Sequence, residues 1–578
     1  MLNIFHEKGN FHFALLLIIN IHCYNQCIAL EEMCMINKIG VEDRNLNSIY
    51  SSIPQNSKDS KNPNFRGGGL WGATLGLMQA CERNPMINVA VIDMLSAILP
   101  RTFVESLTNW FAGFEAFRRE SSGLIVNCLI PSAITLGCAE IINKCVMPKG
   151  INMAGCWSDT KLINRTRDIY NNSAATDKVA DTFVELIRNI EGYDGKNKIS
   201  FKDSGLLSEA EINKYAEALK GLSEKNLSRR ELGKEIKKIA SEIAEKTHVY
   251  ERITVAGENP VKANTVATLL QDSVKFFHEF GKANKNEIKM SMTDFAKQSR
   301  KLVGTKSAAG LAIVLPLAAS MQFINRWITS KVSGVKGAPI YEDYGMDTNK
   351  EGVHTDKAGL LKQKLISITS MVTVGLLSMM KKPTWNMLEF KGMFPTMDQA
   401  RIISTTTFAS RMAAAEDKNE LREATVRDIC TFLSLYFLGD YAAKAAATAI
   451  QKKNPDLVLL NDTKPIEKDA NVFKKFWHWF KDVNLKSTEE VVSKKAEALK
   501  AKGAAITDAE KEILQKELKK AANMRTACQI ANIGVSLILL GLVIPIFTRN
   551  NTKKKHAEEM KIVQQQTSSS GTATKVGA

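Results

Sequence analysis

Long stretches without charge alternate with strongly charged stretches along this chain. One such stretch, residues 526–548, holds 23 residues between Arg525 and Arg549. Because a helix rises about 1.5 Å per residue, roughly 20 apolar residues cross the ~30 Å hydrocarbon core of a bilayer. The pattern predicts a transmembrane anchor over 526–548, after a charged helix over 487–525. A basic, disordered tail is expected over 549–578, which ends in glutamine, serine and threonine.

Other uncharged segments are shorter. Residues 121–139 belong to an apolar helical block over 67–148. Residues 307–325 and 365–380 belong to an apolar helix pair over 301–382, which a glycine-rich loop over 332–359 connects. Such a pair is either a membrane hairpin or the core of a soluble bundle, and the pattern leaves both interpretations open. These segments also span the membrane if the protein is polytopic.

An aromatic face precedes the segment 121–139. Its residues recur mostly at spacings of three and four, which places them on one side of a helix: Phe103, Leu107, Trp110, Phe111, Phe114 and Phe117. We favour the interpretation that this face lines a core. The alternative is a helix lying on a bilayer, with Trp110 as a membrane-interface candidate.

The polar segments also predict helices. Ser208 with Glu211 and Ser228 with Glu231 form capping-box patterns, in which the two side chains satisfy each other's free backbone donors. We therefore expect a polar helical domain over 149–300 and a further helical segment over 383–486. The predicted fold class is mainly α, with helical bundles, one or more transmembrane or deeply buried apolar helices, and little β structure beyond short runs such as 88–92.

The first residues allow two interpretations. Residues 1–34 contain an apolar centre typical of a leader, but the basic residues before it are few and no small-residue cleavage site follows. Translation starting at Met33 or Met35 instead of Met1 is the alternative, which we favour. Residues 35–66 are polar and proline-containing, and they predict a linker.

Composition limits the classes of protein that fit. The chain has 578 residues, of which 44% are hydrophobic and 24% charged, and its mean hydropathy is −0.15. A protein lying mostly in lipid would be more apolar. The net charge of +17 is spread among acidic residues without a nucleic-acid-binding motif. It therefore favours anionic lipid head groups as partners over nucleic acid, and helical domains leave room for protein partners.

A second membrane-interface candidate lies at 474–481, where aromatic rings alternate with basic residues. Trp477 and Trp479 fit head-group depth, and the ammonium groups of Lys474 and Lys475 fit the water beyond it. A hydrophobic corner of a helical domain is the alternative interpretation.

The chain lacks recognisable catalytic motifs. Residues 67–72 match the glycine spacing G-x-G-x-x-G of dinucleotide-binding proteins, but the residues before them do not have the pattern of a buried strand. His278 and Glu279 begin a zinc-protease motif whose second histidine position holds Lys282. The ten cysteines form no C-x-x-C pair, and we expect buried, reduced thiols, with pairing worth testing only within the cluster of four that runs from Cys128 to Cys156. We expect no enzyme activity, cofactor or metal.

Polar residues inside the apolar blocks are the remaining site candidates: Asp93, Asn127, Glu140 and Asp440. In lipid an ionisable group is costly and points to function, whereas in a soluble helix each could be a cap or an ion-pair partner. We predict a membrane-anchored helical scaffold or interaction protein. The alternative is a polytopic transport or pore component, in which Asp93 or Glu140 faces a polar interior.

Overall fold

The structure is a computed structural model, and it divides the chain into two compact units, Met1–Arg83 and Asn84–Ala578. It describes residues 76–78, 80–82, 84–107, 110–155, 159–194, 197–258, 260–285, 289–333, 357–379, 387–392, 394–416, 418–462, 467, 469–488, 490–492, 494–495 and 508–573. The predicted leader, the predicted linker and nearly all of the predicted loop over 332–359 lie outside these residues.

The second unit is built from helices and a few short strands. In chain order they are α1 (Pro85–Ser106), α2 (Trp110–Val146), α3 (Thr160–Asn172), α4 (Lys178–Arg188), β1 (Ile190–Asp194), β2 (Asn197–Ser200), α5 (Glu209–Glu224), α6 (Arg229–Thr247), β3 (Glu251–Val255), β4 (Val261–Thr265), α7 (Val266–Lys285), α8 (Met292–Ser333), α9 (Lys357–Met379), α10 (Met397–Ala414), α11 (418–453), β5 (Leu460–Asp462), α12 (Val472–Asp482), β6 (Val483–Leu485) and α13 (508–573). The chain is 80% helical and 5% strand, so the mainly α prediction is confirmed.

Residues 159–285 form what we call the polar domain. Two helix–hairpin–helix halves, α4 to α5 and α6 to α7, contribute one antiparallel sheet in the order β2-β1-β3-β4. Its central register pairs Ile190 with Val255. Both predicted capping boxes are present at the starts of α5 and α6. The prediction of a purely helical domain missed the sheet, whose strands are at most five residues long.

The core of the polar domain is apolar and aromatic. Phe183 is fully buried, and its ring centroid lies 5.2 Å from that of Phe277, which in turn lies 5.9 Å from that of Phe276. The first turns of α8 complete this core through Phe295. One continuous helix therefore ties the polar domain to the rest of the unit.

Helices α1, α2, α8, α9, α10, α11 and α13 form what we call the bundle. Helix α8 packs against α2 and α10, while α11 packs against α13. At the α2–α8 crossing a Cβ on Gly310 would lie 2.3 Å from Thr135 Oγ1, so only glycine allows this approach. The bundle is thus held by close helix contacts as well as by side-chain packing.

The structure differs from two sequence predictions in the bundle. Residues 88–92, a predicted β run, lie within α1, since the following residues continue the helix. The predicted disordered tail is helical as far as Ala573. Residues 553–561 include four lysines and two glutamates, which are good helix formers and extend the preceding apolar helix.

Candidate functional site: a charge network and a polar cavity

Arginine and carboxylate side chains gather inside one end of the bundle, in what we call the charge network. The network consists of Arg101, Glu105, Glu115, Arg119, Glu120, Arg326, Arg411, Glu420, Glu423, Arg427, Asp428 and Arg549. All are buried or nearly so. Burying an ion is costly unless partners compensate it, and here six arginines face six carboxylates.

Glu120 is the centre of the network. Its carboxylate lies 3.3 Å from Arg101, 3.2 Å from Arg119 and 3.0 Å from Arg411. Arg411 continues to Asp428 at 3.2 Å. These contacts join α1, α2, α10 and α11 through charged groups that water does not reach.

Ion pairs at the edge of the network attach two further helices. Arg326 on α8 lies 2.9 Å from Glu115 and also contacts Glu420. Arg549 on α13 lies 2.9 Å from Glu105. Arg549, the first residue of the predicted basic tail, is buried and is the partner of Glu105.

The network begins where the uncharged segments end. Arg326 follows 307–325, Arg549 follows 526–548, and Glu120 precedes 121–139. At the other ends stand Lys306 and Arg525, both buried near the polar domain's side of the bundle. Nineteen helical residues span about 28 Å, close to the ~30 Å hydrocarbon core of a bilayer. The bundle therefore has two charged layers at a spacing that fits a membrane.

Five helices, α1, α2, α8, α9 and α13, are long and apolar enough to cross a membrane. Only between 11% and 39% of each apolar window is buried inside the structure. Exposed examples on the two best-defined outer faces are Leu361, Leu365, Ile366, Leu376 and Leu377 on α9, and Ile538, Leu542, Val543 and Ile546 on α13.

Aromatic side chains are exposed near both charged layers. Trp110 is 76% exposed, and the aromatic face to which it belongs points outward, as does Trp327 after Arg326. Our preferred interpretation of this face as core-lining was wrong. The face is outside because α2 turns its small and charged residues, such as Ala112 and Glu115, towards its neighbours. Exposed aromatic rings at this level suit a membrane interface.

The second aromatic cluster lies on α12, near the end of the bundle opposite the network. The Phe480 ring stacks on Tyr441 of α11 at 4.3 Å between centroids, and Trp479 Nε1 donates to Thr448 Oγ1 at 3.1 Å. Trp477, Lys474 and Lys475 remain exposed on the outer side. One side of α12 is therefore packed against α11 through its aromatic rings. The other side exposes Trp477 and the two lysines.

Asp93 and Asn127, which the sequence singled out, meet at a small cavity beside the network. The cavity has a volume of about 10 Å³, roughly the room of one water molecule, and Glu120, Arg411 and Tyr436 also line it. Asn127 accepts a hydrogen bond from Thr407 Oγ1 at 2.9 Å. Asp93 is half-buried and makes no hydrogen bond or ion pair with a described residue.

The helices around this cavity are locally irregular. Asp93, Asn127 and Tyr436 each lie in a π-helical turn, at Asp93–Ile98, Ile125–Leu129 and Ser434–Leu438. Such turns widen a helix by one residue and occur often at functional sites. Three of these turns therefore border one cavity, and the first of them places Asp93 in its wall.

The other two polar candidates lie elsewhere. Glu140 is exposed near the polar domain, where it borders a cleft with His278 and Glu279. Asp440 is exposed and accepts a hydrogen bond from Asn532 Nδ2 at 3.3 Å, while the Lys444 ammonium lies over the Tyr441 ring. Neither contacts Asp93 or the network, so the four candidates do not form one site.

Cysteine and metal chemistry add little to the site. Cys128, Cys138 and Cys145 have free thiols, and Cys156 lies outside the described residues. In the part of the chain that the structure describes, no three His, Cys, Asp or Glu side chains converge as a metal site requires.

The sequence analysis missed the network because its members look like ordinary surface charges. One usable signal was present: charged residues end the uncharged segments at several separate points, and both signs occur there. The comparison with known proteins supplies no further assignment, since no family model, curated protein or solved structure matches this chain.

Proposed function

We propose that this chain is an integral membrane protein whose bundle crosses the bilayer several times and holds the polar domain at one membrane surface. Its role is that of a scaffold or interaction protein, without a catalytic step. The proposal goes beyond a single C-terminal anchor because α1, α2, α8 and α9 share the length and apolar character of α13.

The observation that carries the proposal is the alignment of the uncharged segments. Segments distant in sequence end together at the charge network, although nothing in a water-soluble bundle requires this. In a bilayer it is required, since charged groups avoid the hydrocarbon core and stop at its edge. The polar domain contacts the bundle through the start of α8, whose core residues Met292 to Val303 lie 23 to 34 residues before Arg326, and so belongs to the opposite surface.

Sidedness of labelling tests this proposal. In a full-length chain without native cysteines, single cysteines replace Glu416 between α10 and α11, Asn550 beyond the network, or Lys202 on the polar domain, all of which are exposed. In sealed vesicles an impermeant maleimide should label Glu416→Cys and Asn550→Cys from one side and Lys202→Cys from the other. With a single anchor, Glu416→Cys would instead share the side of Lys202→Cys. Release of the protein by carbonate would exclude any membrane crossing.

Transport is a second candidate function, and the cavity at Asp93 favours it. A carboxylate without a described partner, among three π turns inside an apolar bundle, suits the binding of a proton or small cation. In vesicles loaded with a pH-sensitive dye, the purified protein would then support a proton flux that Asp93→Asn abolishes. Equal insertion of the variant is the control, and an unchanged flux would remove Asp93 from the pathway.

A further inference from the structure

A basic cleft opens between α3 and the first turns of α8, away from the charge network. Its volume is about 1000 Å³, which is the upper end of the range for small-molecule sites. Six cationic and three acidic side chains line it. Because helices supply both walls, the positions of the charges are fixed by the fold.

Three lysines in the cleft have no ionic partner among the residues that the structure describes. Lys161, Lys297 and Lys301 are exposed, and none lies within ion-pair distance of a carboxylate in the described residues. Lysines elsewhere in the polar domain are often paired, as Lys220 is with Asp177 and Lys246 with Glu211. The cleft therefore concentrates unpaired positive charge.

A fixed arginine contributes further donors. Arg165 donates to the Ala256 carbonyl at 2.8 Å and packs against Gly257, where a Cβ would lie 2.7 Å from its Cζ. Its Nε is buried without an acceptor among the described residues. The guanidinium is thus held beside the cleft with unused hydrogen-bonding capacity.

Two of the three acidic side chains are already engaged. Asp168 pairs with Arg167 at 2.6 Å, and Glu389 accepts hydrogen bonds from the Thr160 hydroxyl at 2.6 Å and the Thr160 amide at 3.2 Å. Burial raises the pKa of Glu389. Glu258 is exposed and has no described partner. Of the three acidic side chains, it is therefore the one whose charge would repel a bound anion.

We infer that this cleft binds a multiply charged phosphate group, carried by a lipid head group or by a soluble phosphate ester. Lys301 stands six residues, or about 9 Å along α8, before the uncharged segment 307–325. This depth suits a head group, an argument that rests on the proposed membrane crossing. The charge chemistry of the cleft does not depend on that crossing.

Binding of fluorescent inositol trisphosphate to the full-length protein in detergent tests the inference. The variant Lys161→Gln/Lys297→Gln/Lys301→Gln should bind roughly 100-fold more weakly, because the loss of each lysine should lower the affinity about fivefold. Lys202→Gln/Lys214→Gln/Lys234→Gln makes the same charge change at exposed positions outside the cleft and should bind nearly normally. Glu258→Gln should bind a few-fold more tightly, because it removes an opposing charge.

A second arm identifies the source of the phosphate. Nanodiscs containing a bisphosphorylated inositol lipid should block the soluble probe if the head group is the ligand, whereas unchanged probe binding assigns a soluble ester. The inference is overturned if the wild-type protein does not bind the probe, or if both triple variants lose affinity equally. The detergent arm needs no bilayer, so its result is independent of the sidedness experiment.

Discussion

The polar domain and the bundle arrange the same kinds of residue in opposite ways. In the polar domain the buried polar side chains are hydroxyls, such as Thr182 and Ser273, and among the side chains of 159–285 that the structure describes no charged one is buried. Leu206, 38% exposed, is the one large apolar side chain that is exposed among these described residues. The bundle buries a dozen charged groups and exposes apolar side chains along nearly every helix.

The difference indicates two different surroundings. Hydrophobic burial drives folding only where water is the alternative to the core, and that condition fits the polar domain. Where lipid is the alternative, apolar residues face outward at no cost, and polar or charged pairs inside hold the helices together. With the proposed membrane crossing, one chain contains two folding environments, which the start of α8 connects.

The largest expected effect comes from breaking the charge network at Arg411. Arg411→Leu leaves Glu120 and Asp428 buried without this partner, and such a loss typically costs about 3–5 kcal/mol. We expect loss of the monodisperse protein in detergent, or a large decrease of its Tm. Arg422→Leu removes an exposed arginine of α11 at the same end of the bundle and should change the Tm little. Equal Tm values for the two variants would show that the network is dispensable.

Removing an aromatic ring from the core of the polar domain tests whether that domain is held together by apolar burial. Phe183→Ala removes a fully buried ring and should cost about 3–5 kcal/mol, seen as unfolding of the polar domain by hydrogen exchange. Ile538→Ala shortens an exposed bundle residue and should change exchange little in detergent. Similar losses in both variants would contradict the contrast between the two regions.

A charge added at an exposed apolar position should disturb the bundle and leave the polar domain unaffected. Leu376→Arg places a cation on the outer face of α9, where insertion into lipid costs about 2.5–3.5 kcal/mol. Leu206→Arg makes the same change on the polar domain and should be tolerated. The fraction of chain integrated into membranes measures both, and normal integration of Leu376→Arg would mean that α9 does not face lipid.

The smallest expected effect concerns surface charge on the polar domain. Glu211 accepts a hydrogen bond from the Ser208 amide and contacts Lys246, which lowers the pKa of Glu211 from 4.5 to about 2. Since the folded pKa lies below the unfolded one, the ionised group stabilises the fold above pH 4.5, and this is lost as the pH falls towards 2. Protection of α5 amides should therefore fall more steeply with acidification in wild type than in Glu211→Gln. Glu231→Gln, whose capping box lacks the lysine, should show a smaller difference.

Local features of the fold could be predicted from the sequence, because they depend on neighbouring residues. The capping boxes at Ser208 and Ser228 and the uncharged segments of α8 and α13 are of this kind. Asp93 and Asn127 were identified because a polar residue within an apolar run is visible without any structure.

The network and the sheet could not be predicted, because they depend on contacts between distant parts of the chain. Arg411 meets Glu120 across 291 residues, and Arg101 donates to Thr431 across 330. The β1–β3 register likewise joins hairpins from two halves of the polar domain. The aromatic face on α1 and α2 has a pattern that fits a core and a membrane interface equally, so only its observed exposure separates them.

Accessibility of spin labels on α9 tests the central claim most directly. Labels at Leu365 and Leu377, the latter 69% exposed, are compared in nanodiscs with a label at Leu206 on the polar domain. We predict that both α9 labels collide readily with oxygen, which dissolves in lipid, and little with a water-soluble nickel complex, while the label at Leu206 shows the reverse. Nickel accessibility at Leu365 and Leu377 equal to that at Leu206 would contradict a bundle that faces lipid.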